Sequence, residues 1–407
     1  MIKKIFESYK DVLIYTLLAI VIGFLVGGID TIFGKVLIKI SEFRDNNLLI
    51  LIPFLPLAGI GIILIYRKFS NESLKGITLI FKAGHGDSDK IPKMLVPLVM
   101  VSTWITHLFG GSAGREGVAV QIGATTAHTI GRVIKLPKNS RVLLVAGMAA
   151  GFAGLFQTPL AATFFAMEVL VAGSIMYEAL LPALTAAFVA SYTSHMLGLE
   201  KFSITINETI NLNYSTIIKL VVIGIVFGIV GGAFAHTLNH SKKFFAKVIE
   251  DPIKRIFIIG CVLSILLLLL NIGRYAGLGT NLIGASFSGE DIYIYDWLLK
   301  FSLTILTLSA GYQGGEVTPL FAIGSTLGVV IAHLIGLPPM LTAALGYAAV
   351  FGSATNTLLA PILIGAEVFG SENILYFVVV CSIAYVFNGN RTVYSLQKKY
   401  VYLDSIK

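Results

Sequence analysis

Two glycine-wrapped stretches hold the residues of this chain that could do chemistry. The first is Gly110-Gly111-Ser112-Ala113-Gly114-Arg115-Glu116-Gly117-Val118-Ala119-Val120-Gln121. It sets an arginine beside a glutamate between two long apolar segments, a depth at which an ionisable group is costly and marks a functional site. Glycines let backbone amides approach a small ligand with no Cβ in the way. The apolar run after Val118 predicts a helix starting there. The first amides of a helix have no partner within it and carry the positive end of its dipole, so they make an anion site. Glu116 stands where the anion would stand, and a carboxylate competing with a permeant anion for one place is a gate. The second stretch, Gly314-Gly315-Glu316-Val317-Thr318-Pro319-Leu320-Phe321, offers another glutamate at another helix start.

Plainer readings exist. Arg115-Glu116 could be a structural pair facing a headgroup, since charges near helix ends commonly do so, although burying such a pair is costly. Gly110-x-Ser112-x-Gly114 fits a hydrolase pattern, but that signature needs a strand entering the turn, residues 94–109 are helix-like, and no credible base is present, His107 lying five residues back on that helix. His85 and Asp87 are read as a solvated loop rather than a metal pair. His236 and His240 lack the H-E-x-x-H pattern and are read as interfacial.

What must position the two stretches is a membrane-spanning scaffold. Of 407 residues 56% are hydrophobic and only 13% charged, against about 25% charged in a soluble domain. Helix-length apolar runs recur from end to end, and 41 glycines suit close helix packing and broken helices. The excess of Lys and Arg lies in connections, for example Lys3, Lys4, Lys10, Arg67, Lys68, Lys242, Lys243, Lys247, Lys254 and Arg255. That is orientation information rather than a nucleic-acid footprint. Cys261 and Cys381 sit inside apolar helices and are read as small core hydrophobes, which excludes a disulfide framework or thiolate metal site. No cleavable signal is expected.

Taken in order, residues 11–40 read as a long tilted helix leaving a basic, cytoplasmic N-terminus, and residues 48–66 return to Arg67-Lys68. Residues 69–93 are weakly apolar and glycine-studded, reading as a short re-entrant element plus loop. Helices follow at 94–109 and 118–134, then a basic connector at 135–141. Residues 147–170 read as a helix, a break at Gln157-Thr158-Pro159, and a second helix containing Glu168, with Pro159 at its first position. A further helix ends near Leu199, and residues 200–215, with N-x-S/T matches at Asn207 and Asn213, read as an exterior loop. Residues 216–239 read as a helix leading to a basic turn at 241–255. Spans follow at 256–271 and 297–309, separated by a broken glycine-rich stretch.

The remainder repeats the beginning. Residues 346–369 align without gaps on 147–170 at an offset of 199, matching Ala149 with Ala348, Phe152 with Phe351, Thr158 with Thr357, Leu160 with Leu359 and Glu168 with Glu367. Gly314 to Phe321 likewise occupies the place of Gly110 to Val118 in the first half. Two halves, residues 1–200 and 201–407, with corresponding broken helices mark a transporter whose site lies between them.

At these residues the chain resembles the CLC family of chloride channels and anion/proton antiporters. Gly111-Ser112-Ala113-Gly114-Arg115-Glu116-Gly117 matches the family's G-(S/K)-x-G-R-E-G motif, whose glutamate gates and shuttles protons. Gly315 to Pro319 occupies its G-x-F-x-P motif, and Tyr394 matches the tyrosine closing the anion path inside. The departures are specific. The usual proline after G-R-E-G is Val118, and the third motif carries Glu316, Val317 and Thr318. The first motif reads Gly76-Ile77-Thr78-Leu79-Ile80 without the serine of chloride transporters. The inner proton-transfer glutamate is replaced by Val169. These are similar to the fluoride-exporting branch.

The resemblance implies an all-α polytopic membrane protein with a CLC-type inverted repeat of broken and re-entrant helices. It would be a homodimer in a bacterial-type inner membrane, both termini cytoplasmic, with no cofactor, no nucleic acid and no cytoplasmic regulatory domain. It would not be an enzyme. Fluoride and protons are the implied cargo, a chloride/proton antiporter or passive anion channel being the alternative. Glu116 and Glu316 are the expected working carboxyls. Gly76, Ile77, Arg115, Gly117, Val118, Val317, Thr318 and Tyr394 are the expected anion-binding residues. Glu168 and Glu367, equivalent in the two halves, are expected to be hydrogen-bonded scaffold.

Overall fold

A computed structural model of the chain describes residues 2–88, 90–134, 141–206, 208, 210 and 213–400, with side chains from residue 11 onward. The connector residues 135–140, Asp89, Asn207 and the side chains of Lys3, Lys4 and Lys10 lie outside the described residues.

Apolar runs and their breakers dictate the elements. Helix α1 (Ile2–Asp45) runs past the expected end at residue 40, because residues 41–45 are polar but include no glycine or proline to stop them. Helices α2 (Leu48–Leu51) and α3 (Leu55–Phe69) are split by a 3-10 turn, Ile52–Phe54, where Pro53 and Pro56 remove amide donors. Helix α4 (Ile77–His85) is the short element anticipated in the glycine-studded stretch. His85 is not in a solvated loop: it ends α4, with its Nε2 2.9 Å from the Leu396 carbonyl. Helices α5 (Leu95–Leu108) and α6 (Glu116–Val133) flank the first glycine stretch. Helix α6 starts at Glu116 rather than Val118, which brings the carboxylate into its first turn.

The broken helix is α7 (Arg141–Phe156) followed by α8 (Pro159–Glu168), with Gln157 at φ +56° in the break. Then come α9 (Leu180–Met196) and α10 (Tyr214–Val248). The basic turn expected from residue 241 is instead the end of α10, since nothing from His240 to Val248 breaks a helix. His236 and His240 stack on its exposed side with ring centroids 6.2 Å apart. The second half continues with α11 (Pro252–Leu269), α12 (Thr280–Ser288), α13 (Asp296–Ala310) and α14 (Val317–Ile335). It closes with α15 (Pro339–Thr355), α16 (Leu359–Phe369) and α17 (Ile374–Val386). A two-residue parallel pair joins β1 (Val171–Ala172) to β2 (Lys398–Lys399) and ties the C-terminal segment to the loop after α8.

Among the described residues, five helical stretches are long and apolar enough to cross a membrane: Asp11–Asp45, Leu48–Phe69, Tyr214–Val248, Pro252–Leu269 and Val317–Ile335. Leu13, Leu17, Val21, Phe24 and Leu25 of α1 are exposed, a face that suits lipid. Of the shorter helices, α7 and α15 are almost wholly buried. In each half a glycine-on-glycine crossing locks two helices together: α6 on α7, and α14 on α15. A Cβ on Gly123 would stand 2.0 Å from the Gly147 carbonyl oxygen, and one on Gly324 2.1 Å from that of Gly346. These backbones touch with no room for a side chain.

The two broken helices cap each other. Glu168 accepts amides of Leu358, Leu359 and Ala360 at 3.1, 3.2 and 2.9 Å, covering the start of α16. Glu367 returns the arrangement, accepting Leu160 and Ala161 at 3.1 and 2.8 Å at the start of α8. Helix starts inside a membrane need such acceptors because water cannot supply them. Glu168→Gln is expected to lower unfolding stability by about 1–3 kcal/mol, and Glu367→Gln by less, because Glu367 is half-buried and caps two amides. Thermal unfolding in detergent would order the two. An unchanged proton-to-anion coupling ratio in both variants would separate this scaffold role from a transport role.

Candidate functional site

The site begins where the two glycine stretches meet. Gly114 and Gly315 pair antiparallel through two backbone hydrogen bonds, 2.5 and 2.7 Å long. A Cβ on Gly114 would lie 2.8 Å from Pro319 Cδ and 3.0 Å from the Gly315 carbonyl oxygen, so the glycines permit this approach. It sets the starts of α6 and α14 against one another, each with unpaired amides and a positive dipole end.

The carboxylate of Glu116 fills the resulting anion site. Its Oε2 accepts the Thr318 amide at 3.1 Å, the Thr318 hydroxyl at 2.5 Å and the Arg115 amide at 3.3 Å. Its Oε1 is 3.6 Å from Arg115 Nε, and the residue is only 1% exposed. This removes the headgroup-facing alternative: Glu116 points into the protein, at the helix start of the other half. Two nitrogens of Arg115, Nε and Nη1, are buried without an acceptor.

The loop before Glu116 is gripped from α13. Lys300 Nζ donates to Ser112 Oγ at 2.9 Å and to the carbonyls of Gly277 and Tyr275 at 2.7 and 3.2 Å. Thr304 and Thr307, one and two turns further on, meet the Ser112 hydroxyl and amide at 3.0 and 3.2 Å. The ring of His107 sits between the carbonyls of Thr103 and Ala113. Ser112 is completely buried and preceded by helix α5 rather than a strand, which leaves no approach for a hydrolase substrate.

Beside Gly117, the residue after Glu116, lies a cavity of about 320 Å³, lined among others by Gly76, Ile77, Gln121, Glu316 and Tyr394. That volume has room for a hydrated anion rather than a bare one. Gly76 turns the chain at φ +48° into the first amides of α4, which line the cavity. Glu316, half-buried, occupies the residue before α14 and shares the cavity wall with Tyr394 and Lys242. Tyr394 is stacked on Phe81 at 5.2 Å. Its segment is clamped by Gln397, whose amide donates to the carbonyls of Val169 and Thr355. Val169 is buried and has no proton to give. Two further cavities, of about 410 and 500 Å³, touch neither glutamate.

The structure therefore gathers the sequence candidates into two adjoining places. Glu116, Arg115 and Thr318 form the closed one; Gly76, Ile77, Gly117, Glu316 and Tyr394 line the open one. Val118 belongs to neither, a correction: its amide donates to the Arg115 carbonyl at 3.1 Å within the first turn of α6. Val317 is buried at the start of α14, but the amide meeting the carboxylate belongs to Thr318. Sequence reasoning missed Gln121, Phe81, Lys242 and the Lys300–Thr304–Thr307 stripe. Gln121 had a signal, one polar residue a helical turn after Gly117 in an apolar run. Its Nε2 donates to the Gly117 carbonyl, while its Oε1 is buried without a donor.

Two halves with broken helices, whose α6 and α14 starts meet over the Glu116 carboxylate, fit a multi-pass membrane protein of the ion-transport class. The chain belongs to the voltage gated chloride channel family, whose sequence profile matches residues 58–389. A chloride/fluoride channel protein of Pseudomonas syringae pv. tomato is 35% identical over 94% of this chain and 85% of its own length. A solved CLC-type fluoride/proton antiporter is 55% identical, covering 96% of this chain and 99% of that one, with a TM-score of 0.95. A cyanobacterial chloride/proton antiporter shares the fold at 21% identity and a TM-score of 0.81, over 94% and 96% of the two chains.

Proposed function

We propose that this chain exports fluoride across the plasma membrane in exchange for protons. One observation carries the reading: the anion site at the start of α14 is filled by a carboxylate that can be neutralised, that of Glu116. Protonating Glu116 weakens its hold on the Thr318 donors and frees the site for a small anion. Losing the proton draws the carboxylate back and expels the anion. Fluoride gives up its strongly held water only where donors replace it, and the Thr318 amide and hydroxyl do so. The likeness to a fluoride/proton antiporter at 55% identity supports the choice of anion.

Fluoride enters from the cytoplasm through the cavity lined by Gly76, Ile77, Gly117 and Tyr394. Glu316 stands there and hands protons inward, a task Val169 cannot perform. An inside-negative potential assists anion export by about 2.3 kcal/mol per charge per 100 mV. Residues 1–200 and 201–407 act as the two halves of one pathway, in a homodimer with both termini in the cytoplasm.

Proteoliposomes loaded with fluoride or chloride test this. Fluoride efflux is expected to drive proton uptake and to exceed chloride efflux by about tenfold or more. Equal rates for the two anions would reject fluoride selectivity, and fluoride efflux with no proton movement would make the protein a channel.

A further inference from the structure

Fluoride entering the inner cavity meets an electrostatic obstacle. Glu316 stands half-buried at its wall, and Glu116, a second carboxylate, lies close enough for the two to repel. Two ionised carboxylates facing an incoming anion disfavour its entry, most strongly where low-dielectric walls focus the field. A compensating cation is present. Helix α10 continues past the point where its sequence suggests a turn, and this extra length puts Lys242 on the wall of the same cavity. Glu316 and Lys242 are each within the other's field, although no direct ion pair joins them among the described residues. Tyr394 lines the same wall.

We propose that Lys242 is the counter-charge of Glu316, a recruiting residue that lets a small hard anion enter the inner cavity while Glu316 is ionised. The inference rests on the transport reading above and adds to it a residue outside both glycine stretches. Removing Lys242 leaves the cavity wall with the uncompensated charge of Glu316. Removing both restores the original balance.

The experiment is initial fluoride efflux from proteoliposomes over a range of trapped fluoride concentrations, with protons clamped by an ionophore. Lys242→Met keeps the aliphatic stem and is expected to raise KM about fivefold with little change in maximal flux. Lys242→Arg should return KM to within about twofold, and so should Lys242→Met combined with Glu316→Gln. Lys243→Gln, which removes a neighbouring exposed charge that does not line the cavity, should leave KM within about 1.5-fold. An unchanged KM in Lys242→Met, or a double variant as impaired as the single one, overturns the proposal. Fluoride titration calorimetry on detergent-solubilised protein gives the same comparison as Kd for any variant too slow to transport. A wild type that binds fluoride but does not move it would overturn the transport reading and leave the Lys242 comparison readable.

Discussion

Glu116→Gln is expected to reduce fluoride-driven proton uptake by about a hundredfold or more, the scale set by removing a positioned acid–base group. The variant is nearly isosteric, so its carbonyl oxygen can still face the Thr318 donors at the start of α14. What disappears is ionisation. A carboxamide cannot release a proton, and it cannot compete with an anion by charge. The proposed gate is then held in a permanently neutral state, and any remaining fluoride flux is expected to run downhill without coupled protons. Shortening the side chain tests geometry instead of charge: Glu116→Asp retains the carboxylate but does not reach Thr318, and its coupled flux should fall about tenfold or more. Proton uptake that survives Glu116→Gln at wild-type rate would place the proton pathway elsewhere in the protein.

The second large effect concerns Glu316. Its position on the wall of the cavity that Tyr394 and Lys242 also line suits a group that exchanges protons with the solution on that side. Glu316→Gln should lower coupled proton uptake about tenfold or more, while fluoride efflux clamped by an ionophore stays within about threefold of wild type. The competing role, shaping the anion site, gives the reverse pattern: a raised fluoride KM with the coupling ratio intact. Measuring both quantities on one preparation separates the roles, since the proton electrode and the fluoride electrode report different steps. Comparison with Glu168→Gln sharpens the contrast. That buried carboxylate is committed to three backbone amides of α16, and its loss should appear in stability and leave the coupling ratio unchanged.

Local composition did not anticipate the 3-10 turn Ile52–Phe54 inside the span read at 48–66, but it was enough to determine the membrane class, the break at Gln157 to Pro159 and the two glutamates worth attention. Those features depend on runs of apolar residues and on glycine and proline, whose backbone preferences act over a few residues. The internal repeat was equally legible, and it anticipated the scaffold role of Glu168 and Glu367, because equivalent residues in an inverted repeat face equivalent partners. Helix ends were read less well. Polar residues at 41–45 and 240–248 suggested turns, yet a helix stops only where its bonding is interrupted, and neither stretch interrupts it.

Only the tertiary structure decided which groups meet. Glu116 takes its donors from Thr318, 202 residues away along the chain, and Gly114 pairs with Gly315 across the same divide. The Val118 amide, adjacent to the motif, is spent inside α6. Lys242 reaches the cavity of Glu316 only because α10 runs on to Val248, and Lys300 grips a loop 188 residues distant through Ser112. Sequence spacing constrains neighbours within a turn or two. Contacts between the two halves follow from how closely their glycine-lined helices pack.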